Sequence, residues 1–309
     1  MTKFERVQAV LSEQAPDRAP FSFWYHFTDI PQEERAGEKL AAAELDFYRK
    51  YDPDLLKVMH DIPYDMPPGM EKLESLDQAL VVAPDQGNFG KHLEALRIIT
   101  GEVGQEVPVV DTIFSCFSYA EKLTGGVTRD YMRSNPQALH AGMKKIATTL
   151  ADWSEAVVRN GAAGIYYALQ GATEGFLSEA DYREFFLPYD RIVLERVENL
   201  AMLIILHLHG EDLHWRLWEA LPFNVLSWSS NITPPTIAEG RAHYPGAIIG
   251  GVNEVEIGNY TPEQVKEEIR QAIQDTDGGK GLIVAPGCAV PTDCPPANLH
   301  AFKAAVMEG

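Results

Sequence analysis

The chain has 309 residues, 45% of them hydrophobic and 23% charged, the balance of an ordinary water-soluble folded protein. Its 26 Lys and Arg stand against 45 Asp and Glu, a formal charge of −19. A surface that acidic repels phosphate backbones and anionic bilayers, which argues against nucleic-acid and membrane-surface partners. Three cysteines, Cys116, Cys288 and Cys294, are too few for a disulfide framework and read as free thiols or metal ligands. The opening residues carry no basic-then-apolar leader, and no apolar run reaches the length of a membrane span, so a cytoplasmic location is expected.

In chain order, residues 4–11 read as a short amphipathic helix, broken by Pro16 and Pro20. Residues 21–24 form the first expected strand, followed by a helix over 38–51. The second strand, 55–59, ends in His60-Asp61. A Pro- and Gly-rich segment follows, long enough to suggest a functional loop. Next come a helix over 90–101, a strand over 107–114 and a long helix over 136–160, with Asn135 as N-cap and Pro136 at its first position. A fourth strand, 164–169, precedes a helix over 178–199 with Ser178 as N-cap. The fifth strand, 203–208, leads to a short helix over 212–220. Strands over 224–228, 247–251 and 281–285 then alternate with helices over 236–244, 261–275 and 298–307.

About eight short apolar strands alternating with helices predict an α/β protein, a (β/α)8 TIM barrel spanning residues 1–309 as one domain. A doubly wound open sheet is the second choice, weakened because no Gly-rich phosphate loop follows the first strand. In a barrel the chemistry collects at the C-terminal strand ends. Those ends here carry Trp24, Tyr25, His60, Asp61, Gln170, His207, His209, Trp228, Asn253, Glu254 and Cys288.

The fifth strand ends His207-Leu208-His209-Gly210. Residues i and i+2 of a strand share a face, so both imidazoles project together, as metal ligands do. Cys288, beyond the eighth strand, lines the same barrel mouth and completes a three-donor set suited to zinc with one open position. The competing reading makes the histidines hydrogen-bonded residues and Cys288 a turn residue.

The run from Leu177 to Tyr189, LSEADYREFFLPY, resembles the L-S-x-x-x-[FY]-x-E-F-x-x-P-Y segment of the uroporphyrinogen decarboxylase superfamily. Further segments follow in family order: Asp52-Pro53-Asp54, Phe114-Ser115, the H-x-H-G, Gly251-Val252-Asn253 and Gly287-Cys288. The resemblance covers nearly the whole chain and implies a (β/α)8 barrel. One branch of the superfamily decarboxylates a tetrapyrrole without a cofactor. The other comprises zinc-dependent methyltransferases that activate a thiol and exchange methyl groups with a corrinoid, marked by H-x-C-G and a later Cys. This chain is similar to the second pattern, with His209 in place of the first Cys. The decarboxylase's strand-one Arg is absent from residues 21–27, while the resemblance matches Asp61 or Asp65 to its central Asp and Tyr119 to its substrate-touching Tyr.

The resemblance therefore implies a methyltransferase in which His207, His209 and Cys288 hold zinc. Glu254, Asn253, Gln170, Tyr25 and Asp61 are the expected catalytic or orienting residues, and Trp24, Tyr119 and Trp228 the cofactor-facing aromatics. The aromatic stretch Phe23, Trp24, Tyr25 and Phe27 suits an apolar or cationic methylated molecule, or a corrinoid face. A corrinoid protein and a second copy of the chain are the expected partners. A tetrapyrrole or small-acid decarboxylase and a non-catalytic corrinoid- or tetrapyrrole-binding protein are the alternatives.

Overall fold

The computed structural model describes residues 1–308. Seven parallel strands form one sheet in sequential order. They are β1 (Leu56–Val58), β2 (Val109–Phe114), β3 (Gly164–Leu169), β4 (Leu203–Leu208), β5 (Val225–Trp228), β6 (Ala247–Val252) and β7 (Leu282–Pro286). The helices are α1 (Lys3–Leu11), α2 (Gly37–Tyr51), α3 (Gly87–Val103), α4 (Cys116–Thr124), α5 (Thr128–Ser134), α6 (Pro136–Arg159), α7 (Glu179–Phe185), α8 (Leu187–Val197), α9 (Ile237–His243), α10 (Pro262–Gln274) and α11 (Pro296–Glu308).

The expected first strand is not a ladder strand. Residues 20–22 stand between β7 and the start of β1 and are bonded to both. Phe21 bridges Val284, with Ser22 N donating to Val284 O at 3.0 Å and Val284 N to Pro20 O at 2.8 Å. On the other side Asp54 N donates to Phe21 O at 2.9 Å. Side chains then take the place of further rungs: Phe21 N donates to Asp54 Oδ2 at 3.1 Å, and Ser22 Oγ to Leu55 O at 2.8 Å. An amide spent on a carboxylate cannot extend a ladder.

Two other expectations change. The helix expected over 178–199 is two helices, α7 and α8, parted at Phe186, because Pro188 has no N–H to continue the first. The helix expected over 212–220 is a 3₁₀ segment, Trp215–Ala220, preceded by Asp212 at φ +50°. The caps at Asn135, Ser178 and Thr261 are present. α4 and α5, not anticipated, occupy the connection after β2.

Strand alternation divides the apolar side chains into two clusters. Leu55, Met59, Val110, Tyr166, Leu203, Ile205, Val225, Ile249 and Ile283 pack inside the curl of the sheet, with Val7 and Val10 of α1 closing its N-terminal end. The opposite faces pack beneath the surrounding helices. No described helix is long and apolar enough to cross a membrane.

Two buried charges stand out. Asp54 is fully buried and accepts from Arg6 Nη1 at 2.7 Å and from Arg18 Nη1 and Nη2 at 2.6 and 3.0 Å. Removing the charge strands a buried guanidinium, so Asp54→Asn should cost about 3 kcal/mol in urea unfolding at pH 7. Lys57, 3% exposed, points inside the sheet, its Nζ 4.3 Å from the Tyr166 ring centroid and 4.6 Å from that of Trp24. It makes no salt bridge among the described residues. Burial lowers its pKa from 10.5 to about 8. The folded state therefore disfavours the ammonium, a loss that vanishes above pH 10.5 and is complete below pH 8. Lys57→Met should stabilise the protein by about 3 kcal/mol at pH 7, with the gain shrinking toward pH 10.5 in parallel unfolding curves.

Candidate functional site

β4 runs Leu203, Ile205, His207 on its inner face, and His209 continues that face one residue past the strand. Cys288 follows β7 by two residues, on the turn begun at Gly287. The three side chains meet, and one donor atom from each lies within 4.8 Å of the others. His207 Nε2 is 3.3 Å from His209 Nδ1, which is 3.9 Å from Cys288 Sγ. The other His207 nitrogen, Nδ1, is 3.1 Å from Ser227 Oγ on β5, and that hydroxyl is 3.2 Å from Tyr166 OH. This chain fixes the ring and keeps Nε2 turned toward His209, the arrangement that orients a ligating histidine.

Burial, then His209 and Lys57, push His207 well below the ordinary histidine pKa, and burial lowers His209. Both are thus held as neutral imidazoles, the form that binds metal. Burial raises the Cys288 thiol, so a nearby cation is what would turn it into a thiolate. Two neutral imidazoles and a thiol at this spacing fit a tetrahedral zinc site with one remaining position.

Glu254 lies over the Cys288 turn. It is 7% exposed; Ser229 Oγ donates to its Oε1, and its Oε2 has no partner. Burial raises its pKa. Gln170 Oε1 accepts from Ser118 Oγ at 2.5 Å, and Gln170 shares with His209 a cavity of about 390 Å³ lined also by Phe117, Lys122, Thr173 and Phe176. Lys122 Nζ sits 4.2 Å from the Phe114 ring centroid, and burial lowers its pKa.

The remaining anticipated residues are placed elsewhere. Asn253 Oδ1 accepts from Val255 N and Glu256 N, both at 3.0 Å, and its backbone N–H donates to Glu268 Oε2, so it shapes the turn after β6. Asp61 is held by His26 Nδ1 at 2.7 Å, with Arg35 3.6 Å away. Asp65 accepts from Asn88 N at 2.9 Å, at the start of α3. Tyr25 packs on Phe27 and Phe47, toward α2. Trp24 faces inward, its ring centroid 5.3 Å from that of Tyr166. Tyr119 is buried against Tyr64 and Phe89 with its hydroxyl unpartnered. Trp228 is buried on the outer face, its Nε1 donating to Pro235 O at 2.7 Å and its ring against Trp215. Of the strand-one aromatics, Phe23 and Phe27 pack in the helix layer.

Sequence reasoning passed over Lys57, Ser227, Ser229 and Lys122. Lys57 had a visible signal, a lysine inside the apolar run Leu55-Leu56-Lys57-Val58-Met59. The others had none. A second buried group, His60, His92 and Asp111, also brings donor atoms within 4.8 Å, on the outer face of the sheet. There Asp111 accepts from His92 Nε2 at 2.8 Å and Trp153 Nε1 at 3.1 Å, while the two imidazoles stack at 4.0 Å. Burial, then His92, lowers the His60 pKa to about 4. Both carboxylate oxygens are engaged by ring N–H groups, as in a packed polar network between sheet and helices.

Comparison with known proteins gives this geometry its family. Methylcobamide:CoM methyltransferase MtbA of Methanosarcina acetivorans is 24% identical over 233 residues, covering 75% of this chain and 67% of that protein. Uroporphyrinogen decarboxylase of Azotobacter vinelandii is 25% identical over 248 residues, with the same shares covered. A solved methyltransferase from Methanosarcina mazei superposes over 100% of this chain and 99% of its own, with a TM-score of 0.80 at 19% identity. A B12-independent methionine synthase from Shewanella sp. W3-18-1 gives a TM-score of 0.63 at 12% identity, covering 94% and 96%. The family profile described as uroporphyrinogen decarboxylase (URO-D) matches residues 2–309, and the chain belongs to that family.

Proposed function

We propose that the protein is a zinc-dependent methyltransferase of the URO-D family, built as one (β/α)8 barrel with residues 20–22 standing in for its first strand. The observation that carries this reading is the convergence of His207, His209 and Cys288 at the C-terminal strand ends. When bound there, zinc supplies a Lewis acid that lowers the pKa of a thiol and makes it nucleophilic at neutral pH. Ser227 and Tyr166 hold His207 in register for that role. Gln170 and Ser118 line the cavity that reaches His209 and orient the incoming nucleophile there. The Tyr166 ring packs on His207 and Trp24 packs on Tyr166, with Lys57 Nζ over both rings. The methyl donor is a corrinoid or a methylated small molecule, and a corrinoid protein in the cytoplasm is the partner this chemistry calls for. Support comes from the relatives named methyltransferases.

The decarboxylase alternative needs a carboxylate free to receive pyrrole N–H groups and a cationic clamp for many carboxylates. Of the two residues matched to that role, Asp61 is bonded to His26, with Arg35 turned to it and to Ile30 O, and Asp65 accepts from the Asn88 amide. Those pairings weigh against it.

Elemental analysis of protein purified without chelator should find about one zinc per chain; no stoichiometric transition metal would remove the zinc reading. His207→Ala and Cys288→Ala should each lose the metal and at least a hundredfold in turnover, with unchanged circular dichroism, because strand-end side chains add little to the core. Full metal and turnover in both would show the ligand assignment to be wrong. A paired assay on one preparation should detect methyl transfer from methylcobalamin to a thiol and no coproporphyrinogen from uroporphyrinogen. Decarboxylation at an enzymatic rate reverses the assignment, and neither activity, with corrinoid bound, points to a non-catalytic binding protein.

A further inference from the structure

The run from Leu177 to Tyr189 carries the family resemblance, yet it stands behind the cavity beside His209 rather than in its wall. Its Tyr182, on α7, and the residue just after it, Asp190 on α8, are both fully buried. Tyr182 OH donates to Asp190 Oδ2 at 2.9 Å. The other oxygen, Oδ1, accepts from Tyr167 OH of β3 at 2.5 Å and from the backbone N–H of Cys116 at 3.1 Å. Cys116 is the first residue of α4, and the first N–H groups of a helix have no partner inside it. Here a carboxylate from another helix takes one of them. A single buried carboxylate with three donors therefore joins α7, α8, β3 and the start of α4, and a buried network that is fully satisfied admits one arrangement.

The first turn of α4 is also where the cavity is built. Ser115, its N-cap, donates its own N–H to Ala168 O at 2.9 Å, and its Oγ accepts from Ser118 N and Gln170 N, both at 3.3 Å. Ser118 Oγ in turn donates to Gln170 Oε1 at 2.5 Å. Phe117 packs edge-on against Phe186 of the run, ring centroids 4.8 Å apart. The fit on its other side is close, since a Cβ built on Gly171 would fall 2.4 Å from the Phe117 ring. Phe117, Ser118 and Gln170 all line the cavity shared with His209. A shift of this one turn would move all three, and a misplacement of about 1 Å at a reacting site can cost about a hundredfold in rate.

Resting on the function proposed above, we propose that Asp190 is a positioning residue of the nucleophile's cavity: by holding the Cys116 amide it sets the first turn of α4 and, through Ser118, the Gln170 amide. Tyr167 and Tyr182 hold the carboxylate itself. The segment that carries the family resemblance thus acts on the reaction without touching substrate.

The test compares the wild-type chain with Asp190→Asn, Ser118→Ala and the double variant. Zinc content, methyl transfer from methylcobalamin to a thiol, and backbone hydrogen exchange by mass spectrometry are measured for each. Asparagine has one acceptor oxygen and cannot serve Tyr182 and Cys116 together. Asp190→Asn should raise the KM for the thiol about tenfold, with zinc content and the KM for methylcobalamin within about twofold of wild type. Exchange across residues 114–119 should speed up about fivefold. The double variant should lie within about twofold of Ser118→Ala, because both changes cut the same connection. Effects that multiply in the double variant would overturn the proposal. So would lost zinc or an equal rise in the KM for methylcobalamin, the marks of general loosening, and so would an unchanged thiol KM or unchanged exchange in Asp190→Asn. If that variant does not fold, Tyr182→Phe, which removes one donor and keeps the charge, should shift the same two readouts in the same direction, and no shift would overturn the proposal. A wild-type chain that transfers no methyl group to a thiol would instead overturn the function proposed above, while hydrogen exchange would still report whether Asp190 holds α4.

Discussion

The sheet depends on the buried Asp54 knot. Seven strands pair in order, but β7 and β1 do not pair with each other. Residues 20–22 fill that seam through one bridge and a few backbone bonds. Asp54 joins the seam by accepting from the Phe21 amide, from Arg18 and from Arg6 of α1. One fully buried carboxylate thus ties the seam segment, the start of β1 and the helix that closes the bottom of the sheet. Its charge is matched by two guanidiniums and its lone pairs are filled, which makes burial tolerable. Because the seam holds, β4 and β7 stay on one curved surface, and the residues beyond their ends can meet.

The second constraint is the two-residue period of the strands. On β4 it places Leu203, Ile205 and His207 inside, and on β2 it places Asp111 outside. The protein consequently has two buried histidine groups on opposite faces of one sheet. In the outer group both Asp111 oxygens are engaged, by His92 and by Trp153, while His60 Nδ1 and His92 Nδ1 are buried without a partner. The inner group has a thiol, a neighbouring unpartnered carboxylate oxygen and an unpaired lysine.

The surroundings of the inner group differ from what an aromatic strand-one segment suggests. Phe23 and Phe27 pack under the helices, and of that stretch Trp24 is the residue that faces inward. The cavity beside His209 is lined instead by Gln170, Ser118 and the partly desolvated Lys122, besides Phe117 and Phe176. Those side chains come from α4 and from the loop after β3. Glu121 lines it as well, so a largely apolar wall carries polar groups of both charge signs. Each reaches the cavity through a connection whose path is set by packing, beginning with the N-cap bond of Ser115 to the amide of Ser118.

What the sequence by itself determined was local or periodic. Apolar runs located the seven strands within a few residues, and caps such as Asn135, Ser178 and Thr261 marked helix starts. The H-x-H spacing put two imidazoles on one face, because alternation is a property of the strand alone. Pro188 was equally visible, yet its effect was missed, since a helix-period pattern continues through it. Only the tertiary structure decided the rest. That Cys288 meets His209, 79 positions away in the sequence, depends on the curl of the whole sheet. That Lys57 forms no salt bridge among the described residues, that Ser227 holds His207, and that Glu254 keeps a bare oxygen against Gly287 are statements about neighbours from different strands. Whether Trp228 and Asn253 serve a pocket or a packed layer and a turn is likewise a matter of which face their strand turns inward. Chain order carries no such information, because side-chain surroundings are set by contacts between residues far apart in sequence.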